Sequence, residues 1–176
     1  MSEKGLIQVY TGNGKGKTTA AIGLAIRSRS HDHRVCFVYF HKNPEKYGYT
    51  EHRILKGAGV DVFGFAKASL LCDKGVPPEE LRRECLKGLD FVREVFKKDE
   101  HDLLILDEIN ISMRDGFVTA DEVKDVLRAK PERLEVVLTG RGASQEIIEM
   151  ADLVSEIHAV KHPYKNGIKR RIGIEY

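Results

Sequence analysis

Nine residues near the start of the chain, Thr11-Gly12-Asn13-Gly14-Lys15-Gly16-Lys17-Thr18-Thr19, narrow the possible folds more than any other segment. The apolar run Leu6 to Tyr10 before them reads as a buried strand. Lys17 to Arg29 after them carries Ala20, Ala21, Leu24 and Ala25 at helical spacing. A strand, a glycine-rich loop and a Lys-Thr pair opening a helix form the setting in which backbone N–H groups and a helix N-terminus cradle phosphates. Glycines at 12, 14 and 16 give the loop the backbone freedom this needs. Lys17 offers a point charge to the outer phosphates, and the Thr18 hydroxyl can ligate Mg²⁺. The loop is also short. The usual pattern places four residues between its first glycine and Gly-Lys-Thr, and here Gly12 is followed by three.

The remaining chain alternates strand and helix signals. Arg34 to Phe40, Val60 to Phe65, Leu103 to Leu106, Glu135 to Thr139 and Leu153 to Val160 read as strands, with a last short one at Ile172 to Tyr176. Glu51 to Lys56 suggests a short helix. Pro78 to Lys98 is a long amphipathic helix with Leu81, Cys85, Leu89, Val92 and Phe96 on one face. Thr119 and Glu122 form a capping box for a helix to about Ala129, and Ser144 caps another through about Ala151. Most strands are continuous apolar runs, as strands covered on both faces must be. The pattern specifies an α/β fold: one three-layer, phosphate-loop NTPase-like domain over residues 1–176, with a mainly parallel central sheet. Ligands of such sheets sit at the carboxyl ends of the strands, where the glycine loop falls.

Leu103-Leu104-Ile105-Leu106-Asp107-Glu108 is an apolar strand ending in two acids. In phosphate-loop proteins an acid here serves Mg²⁺ opposite the loop threonine. Asp107 and Glu108 face opposite ways if the strand continues through them, which gives them different tasks. Composition excludes other classes. A net charge of +2 is no footprint for nucleic acid, and no stretch is apolar enough to span a bilayer. Cys36, Cys72 and Cys85 lack metal-ligand spacing, which fits a reduced, cytoplasmic setting.

Together these residues resemble the ATP:corrinoid adenosyltransferases of the cob(I)alamin type. The resemblance lies in the short loop Gly12 to Thr19, in Leu106-Asp107-Glu108 and in Thr139-Gly140-Arg141-Gly142. It continues through Ala151-Asp152, Val154-Ser155-Glu156, Val160-Lys161-His162, Gly167 and Ile172 to Tyr176. It implies that Co(I) of a corrinoid attacks the 5′ carbon of ATP, with triphosphate as the leaving group. Gly12, Asn13, Gly14, Lys15, Gly16, Lys17, Thr18 and Thr19 would then hold the phosphates, with Arg141 adding charge. Thr18 and Glu108, with Asp107, would serve Mg²⁺; Lys17, Thr18 and Glu108 would carry the catalysis. An electron-donating reductase and a homodimer are implied as well. Two departures from the family pattern lie within the chain. Tyr39-Phe40-His41-Lys42-Asn43 stands where Gln-Phe-x-Lys-Gly is usual. The aromatic segment expected near Ser69-Leu70-Leu71-Cys72 is absent, and the chain has no tryptophan.

Other features read as ordinary surface. His31-Asp32-His33 is a solvated turn, His41 and His162 are surface histidines at strand ends, and Phe63 and Phe65 face the core. Lys161, Lys165, Lys169, Arg170 and Arg171 form a basic loop. Two other functions fit the same loop: a small-molecule kinase, which needs a base near its acceptor and usually an arginine lid, and a nucleotide-binding corrinoid-handling protein without catalysis.

Overall fold

The computed structural model describes residues 4–48, 50–66, 68, 75–169 and 171–174. Six strands form one parallel sheet: β1 (Ile7–Thr11), β2 (Val35–Phe40), β3 (Asp61–Phe65), β4 (Leu103–Asp107), β5 (Glu135–Thr139) and β6 (Leu153–Glu156), in the order β3-β2-β4-β5-β1-β6. Helices α1 (Lys17–Arg29), α2 (Pro44–Tyr47), α3 (Glu51–Gly57), α4 (Pro78–Lys98), α5 (Ile109–Arg114), α6 (Ala120–Arg128) and α7 (Gln145–Met150) connect them.

The sheet alternates its side chains between two cores. Val35, Phe37, Tyr39, Leu103, Ile105 and Val137 join Ala21 and Ala25 of α1 and Leu55 of α3 on one face. Cys36, Val38, Phe40, Leu104, Leu106, Val136 and Leu138 meet Leu81, Leu89, Val123 and Ile147 of α4, α6 and α7 on the other. This is the period-two geometry of a strand buried twice over, and it is why β2 is apolar at every position and β4 at every position but its last, Asp107. The small residues of α1 have their reason here: Ala21 and Ala25 are wholly buried, so the helix carrying Lys17 and Thr18 lies close against the sheet.

The expected α/β architecture is what the chain forms, with differences at its ends. The expected sixth strand reached Val160, but β6 stops at Glu156, and Pro163–Asn166 make a 3₁₀ turn. β6 is an edge strand whose four residues are all exposed, so nothing holds the chain flat beyond its pairing with β1. The expected last strand is also corrected: residues 172–174 form a turn, and Glu175 and Tyr176 lie outside the described residues. The Thr119–Glu122 capping box forms in full, whereas Ser144 occupies its N-cap position without a capping hydrogen bond. Phe63 is 40% exposed on the edge strand, its ring against Phe91, rather than in the core. No described helix is long and apolar enough to cross a membrane.

His52 of α3 gives a first prediction. It is buried and its ring stacks on Tyr39, centroids 4.1 Å apart. Burial, helped by the charges of Lys42 and Lys56 and opposed by Asp107, pushes its pKa down to about 4. An unfolded histidine, titrating near 6.5, takes a proton that the native one refuses. Stability is therefore fully present above about pH 6.5 and falls as pH drops toward 4. The loss from this residue between pH 7 and pH 5 is about 2 kcal/mol, and denaturant titrations of His52→Phe should lack that slope.

Candidate functional site

At the carboxyl end of β1 the backbone breaks from the sheet into the glycine loop. Gly12 adopts φ +94°, and a Cβ there would stand 2.5 Å from the Ile157 carbonyl oxygen. At Gly14 a Cβ would stand 2.8 Å from the same oxygen, which accepts a 2.7 Å hydrogen bond from the Gly14 N–H. The chain leaving β6 therefore forms a wall along the loop, and only glycine fits against it. Asn13 fastens that wall, its Oδ1 accepting from the Ala159 N–H at 3.1 Å. On the other side, the Thr11 hydroxyl accepts from Ala143 N–H at 3.2 Å, tying the loop to the turn after β5.

Lys17 opens α1 with its side chain folded back into the loop. Its ammonium donates to the carbonyls of Gly12 at 2.8 Å and Gly14 at 2.7 Å. Burial lowers its pKa, Glu108 and Asp107 pull it back up, and Arg141 adds to the lowering. Lys15 and Thr19 are exposed, while Thr18 is half-buried. Arg141, exposed between Gly140 and Gly142, lies close enough for its charge to act on both Lys17 and Glu108.

The two acids part company, although by a sharper device than strand alternation. β4 ends at Asp107, and Glu108 takes a left-handed conformation (φ +66°), uncommon outside glycine, to start α5. Asp107 is fully buried. Its Oδ1 accepts from the Thr139 hydroxyl at 2.7 Å and its Oδ2 from the Lys42 ammonium at 2.5 Å. Thr139 Oγ1 in turn accepts from the Glu108 N–H at 3.0 Å, which holds the left-handed kink in place. Glu108 has one oxygen, Oε2, shielded from solvent without a hydrogen-bond partner. Burial and the charge of Asp107 push its pKa up, against the pull of Lys42, Lys17 and Arg141.

Lys42 was not among the expected site residues, yet it is the centre of this cluster. It follows His41, whose φ of +56° turns the chain inward off the end of β2. The Lys42 side chain is 8% exposed, with its ammonium 3.2 Å from Thr18 Oγ1. Burial pulls its pKa down, but Asp107, Glu108 and Glu51 outweigh that and raise it, so it stays charged. The available signals were its place directly after an apolar strand on the carboxyl edge and its match to the lysine of the Gln-Phe-x-Lys-Gly pattern. Thr139 was also missed as a site residue, although it sat inside the quoted Thr139-Gly140-Arg141-Gly142 motif.

His41 is a correction. It is no surface histidine: its ring is packed against Phe117, with Nδ1 3.2 Å from the Ala68 carbonyl oxygen and Nε2 2.8 Å from the buried Ser112 hydroxyl. His162 is partly exposed and caps the 3₁₀ turn, its Nδ1 accepting from Tyr164 N–H. His31 and His33 lie in an exposed turn, and no cluster of three or more His, Cys, Asp or Glu side chains among the described residues could hold a metal. The segment Ser69 to Cys72, where the aromatic departure falls, lies outside the described residues.

The family model for the ATP:corrinoid adenosyltransferases BtuR/CobO/CobP matches residues 3–176. The corrinoid adenosyltransferase of Escherichia coli K12 is 35% identical over 99% of this chain and 87% of its own length. That of a Sinorhizobium species is 36% identical over 99% and 81%, and that of Pseudomonas aeruginosa 32% identical over 99% and 85%. A match that runs through the glycine loop, the acids after β4 and the turn after β5 alike leaves one assignment: the chain belongs to the ATP:corrinoid adenosyltransferase family of the phosphate-loop type.

Proposed function

We propose that the chain transfers the 5′-deoxyadenosyl group of ATP to the Co(I) of a corrinoid, with the loop from Gly12 to Thr19 holding the triphosphate as leaving group. The observation that carries this is the arrangement at the carboxyl edge of the sheet. Three cations, Lys17, Lys42 and Arg141, stand close enough to Glu108 to act on it, and its shielded Oε2 has no hydrogen-bond partner. The site is built to concentrate positive charge, and among the described residues no histidine hydrogen-bonds into the Lys17–Lys42–Glu108 cluster.

In the reaction the cobalt electron pair forms the Co–C5′ bond. The C5′–O bond breaks, and its electrons leave with the triphosphate. No proton has to be removed from the nucleophile, so the protein's task is alignment and stabilisation of leaving-group charge. The start of α1 and those loop N–H groups not engaged elsewhere, Gly14's being held by Ile157, would meet that charge, with Lys17 adding a full cation and Arg141 another. Magnesium fits here: Glu108 Oε2 and Thr18 Oγ1 would hold it, with Asp107 behind them, and it would supply further neutralisation of phosphate oxygens. Co(I) implies an electron donor as partner, and the setting is cytoplasmic. The working form is a homodimer, as the resemblance implies.

The test is direct. Protein, ATP, Mg²⁺ and chemically reduced cob(I)alamin should give the light-sensitive cobalt–alkyl spectrum with one tripolyphosphate released per cobalt–carbon bond. ADP production dependent on a hydroxyl acceptor would replace this reading with a kinase. ATP binding without turnover would replace it with a carrier.

A further inference from the structure

We propose that Lys42 is a built-in cation of the nucleotide site: its ammonium takes the position between the loop threonine and the strand-four aspartate, and makes Asp107 a positioning residue. The inference rests on the proposed triphosphate reading of the loop. In phosphate-loop proteins generally, the threonine after the loop lysine and an acid at the end of a neighbouring strand bracket the magnesium ion. Here that pair is Thr18 and Asp107, and the gap between them is spanned by Lys42 Nζ, 3.2 Å from Thr18 Oγ1 and 2.5 Å from Asp107 Oδ2. The backbone is bent to make this possible. His41 leaves β2 with φ +56°, and its N–H donates to the Ala66 carbonyl at 3.1 Å, fixing the turn that sends Lys42 under the sheet edge.

Asp107 has no oxygen without a hydrogen bond, since Oδ1 receives the Thr139 hydroxyl and Oδ2 the ammonium. Glu108 differs. Its backbone is clamped through Thr139, while its Oε2 is shielded and lacks a hydrogen bond. The labour is thus divided. Lys42 neutralises Asp107 and orients the Thr18 hydroxyl; Asp107, through Thr139, sets the Glu108 kink; Glu108 supplies the oxygen left for a cation that arrives with the nucleotide. A permanent ammonium also keeps the acid pair from recruiting a divalent ion before the nucleotide binds, because the inner position is already filled by charge.

The experiment measures Mn²⁺ binding to nucleotide-free protein by electron paramagnetic resonance, in wild type, Lys42→Met and Lys42→Met with Asp107→Asn. Lys42→Met is expected to bind Mn²⁺ about tenfold or more tighter than wild type, and the added Asp107→Asn to abolish the gain. Should Lys42→Met fold poorly in metal-free buffer, Lys42→Gln serves instead, and Mn²⁺ should raise its melting temperature while leaving the wild type unchanged. A folded Lys42→Met or Lys42→Gln protein that takes up Mn²⁺ no better than wild type overturns the proposal. The wild type's binding of ATP with Mg²⁺ is measured alongside. Loss of that binding would bring down the phosphate-loop reading, whereas its presence with a flat Mn²⁺ result removes only the role of Lys42.

Discussion

Lys17→Ala is expected to lower kcat/KM for adenosyl transfer about a thousandfold, the scale of removing a preorganised stabiliser from a site where charge develops. The ammonium is buried and already aimed into the loop by the carbonyls of Gly12 and Gly14, so no reorganisation is needed when the triphosphate departs. Its loss acts twice, on the bound phosphates and on the extra negative charge that appears as the C5′–O bond breaks. The second effect falls on kcat. Tripolyphosphate, which carries the leaving group without the nucleoside, should inhibit the wild type and lose most of its affinity for the variant. Fold stability is the control, because the loop keeps its Gly14 to Ile157 and Asn13 to Ala159 hydrogen bonds. A folded variant retaining more than about a tenth of the rate would mean that the loop does not hold the leaving group.

Such a prediction was accessible because phosphate binding constrains sequence locally. A loop that must present successive N–H groups needs glycine at defined places, and a lysine and a threonine must follow in the next turn. Those demands are satisfied within nine residues. The sheet was legible for a similar reason, since strands buried on both faces become unbroken apolar runs such as Val35–Phe40 and Leu103–Leu106. Legibility failed where position depends on distant parts of the chain. Lys42 is a charged residue after a strand, and such residues normally stay in solvent. What buries it is a positive φ at His41 and an aspartate 65 positions further on. His41 itself is partly covered by Ser112 and Phe117, which come from α5 and the loop after it. The overlong β6 has the same origin: the apolar letters continue past Glu156, but Ile157 to Ala159 lie against the glycine loop, a demand of tertiary structure that no period of two can announce.

Asp107→Ala is expected to cost about 3–5 kcal/mol of stability, the range for removing one partner of a buried ion pair. Nothing about the lost side chain's own packing gives so large a value. The cost arises because the Lys42 ammonium, 8% exposed, is left without its carboxylate, and because the Thr139 hydroxyl loses its acceptor in a position closed to water. If that account is right, the penalty belongs to the unpaired charge rather than to the missing atoms. Replacing both partners with apolar side chains, Lys42→Met with Asp107→Leu, should then recover most of the loss, since a buried pair exchanged for well-packed hydrophobic residues is often neutral. Urea denaturation of the wild type, both single variants and the double variant closes the cycle. A coupling energy near zero would show that the two charges do not act together, and the cluster linking Thr18, Lys42, Asp107, Thr139 and Glu108 would have to be dismantled. Coupling of several kcal/mol together with a double variant that folds but transfers no adenosyl group would place the purpose of this buried charge in the site's chemistry, since the fold would have shown that it can do without it.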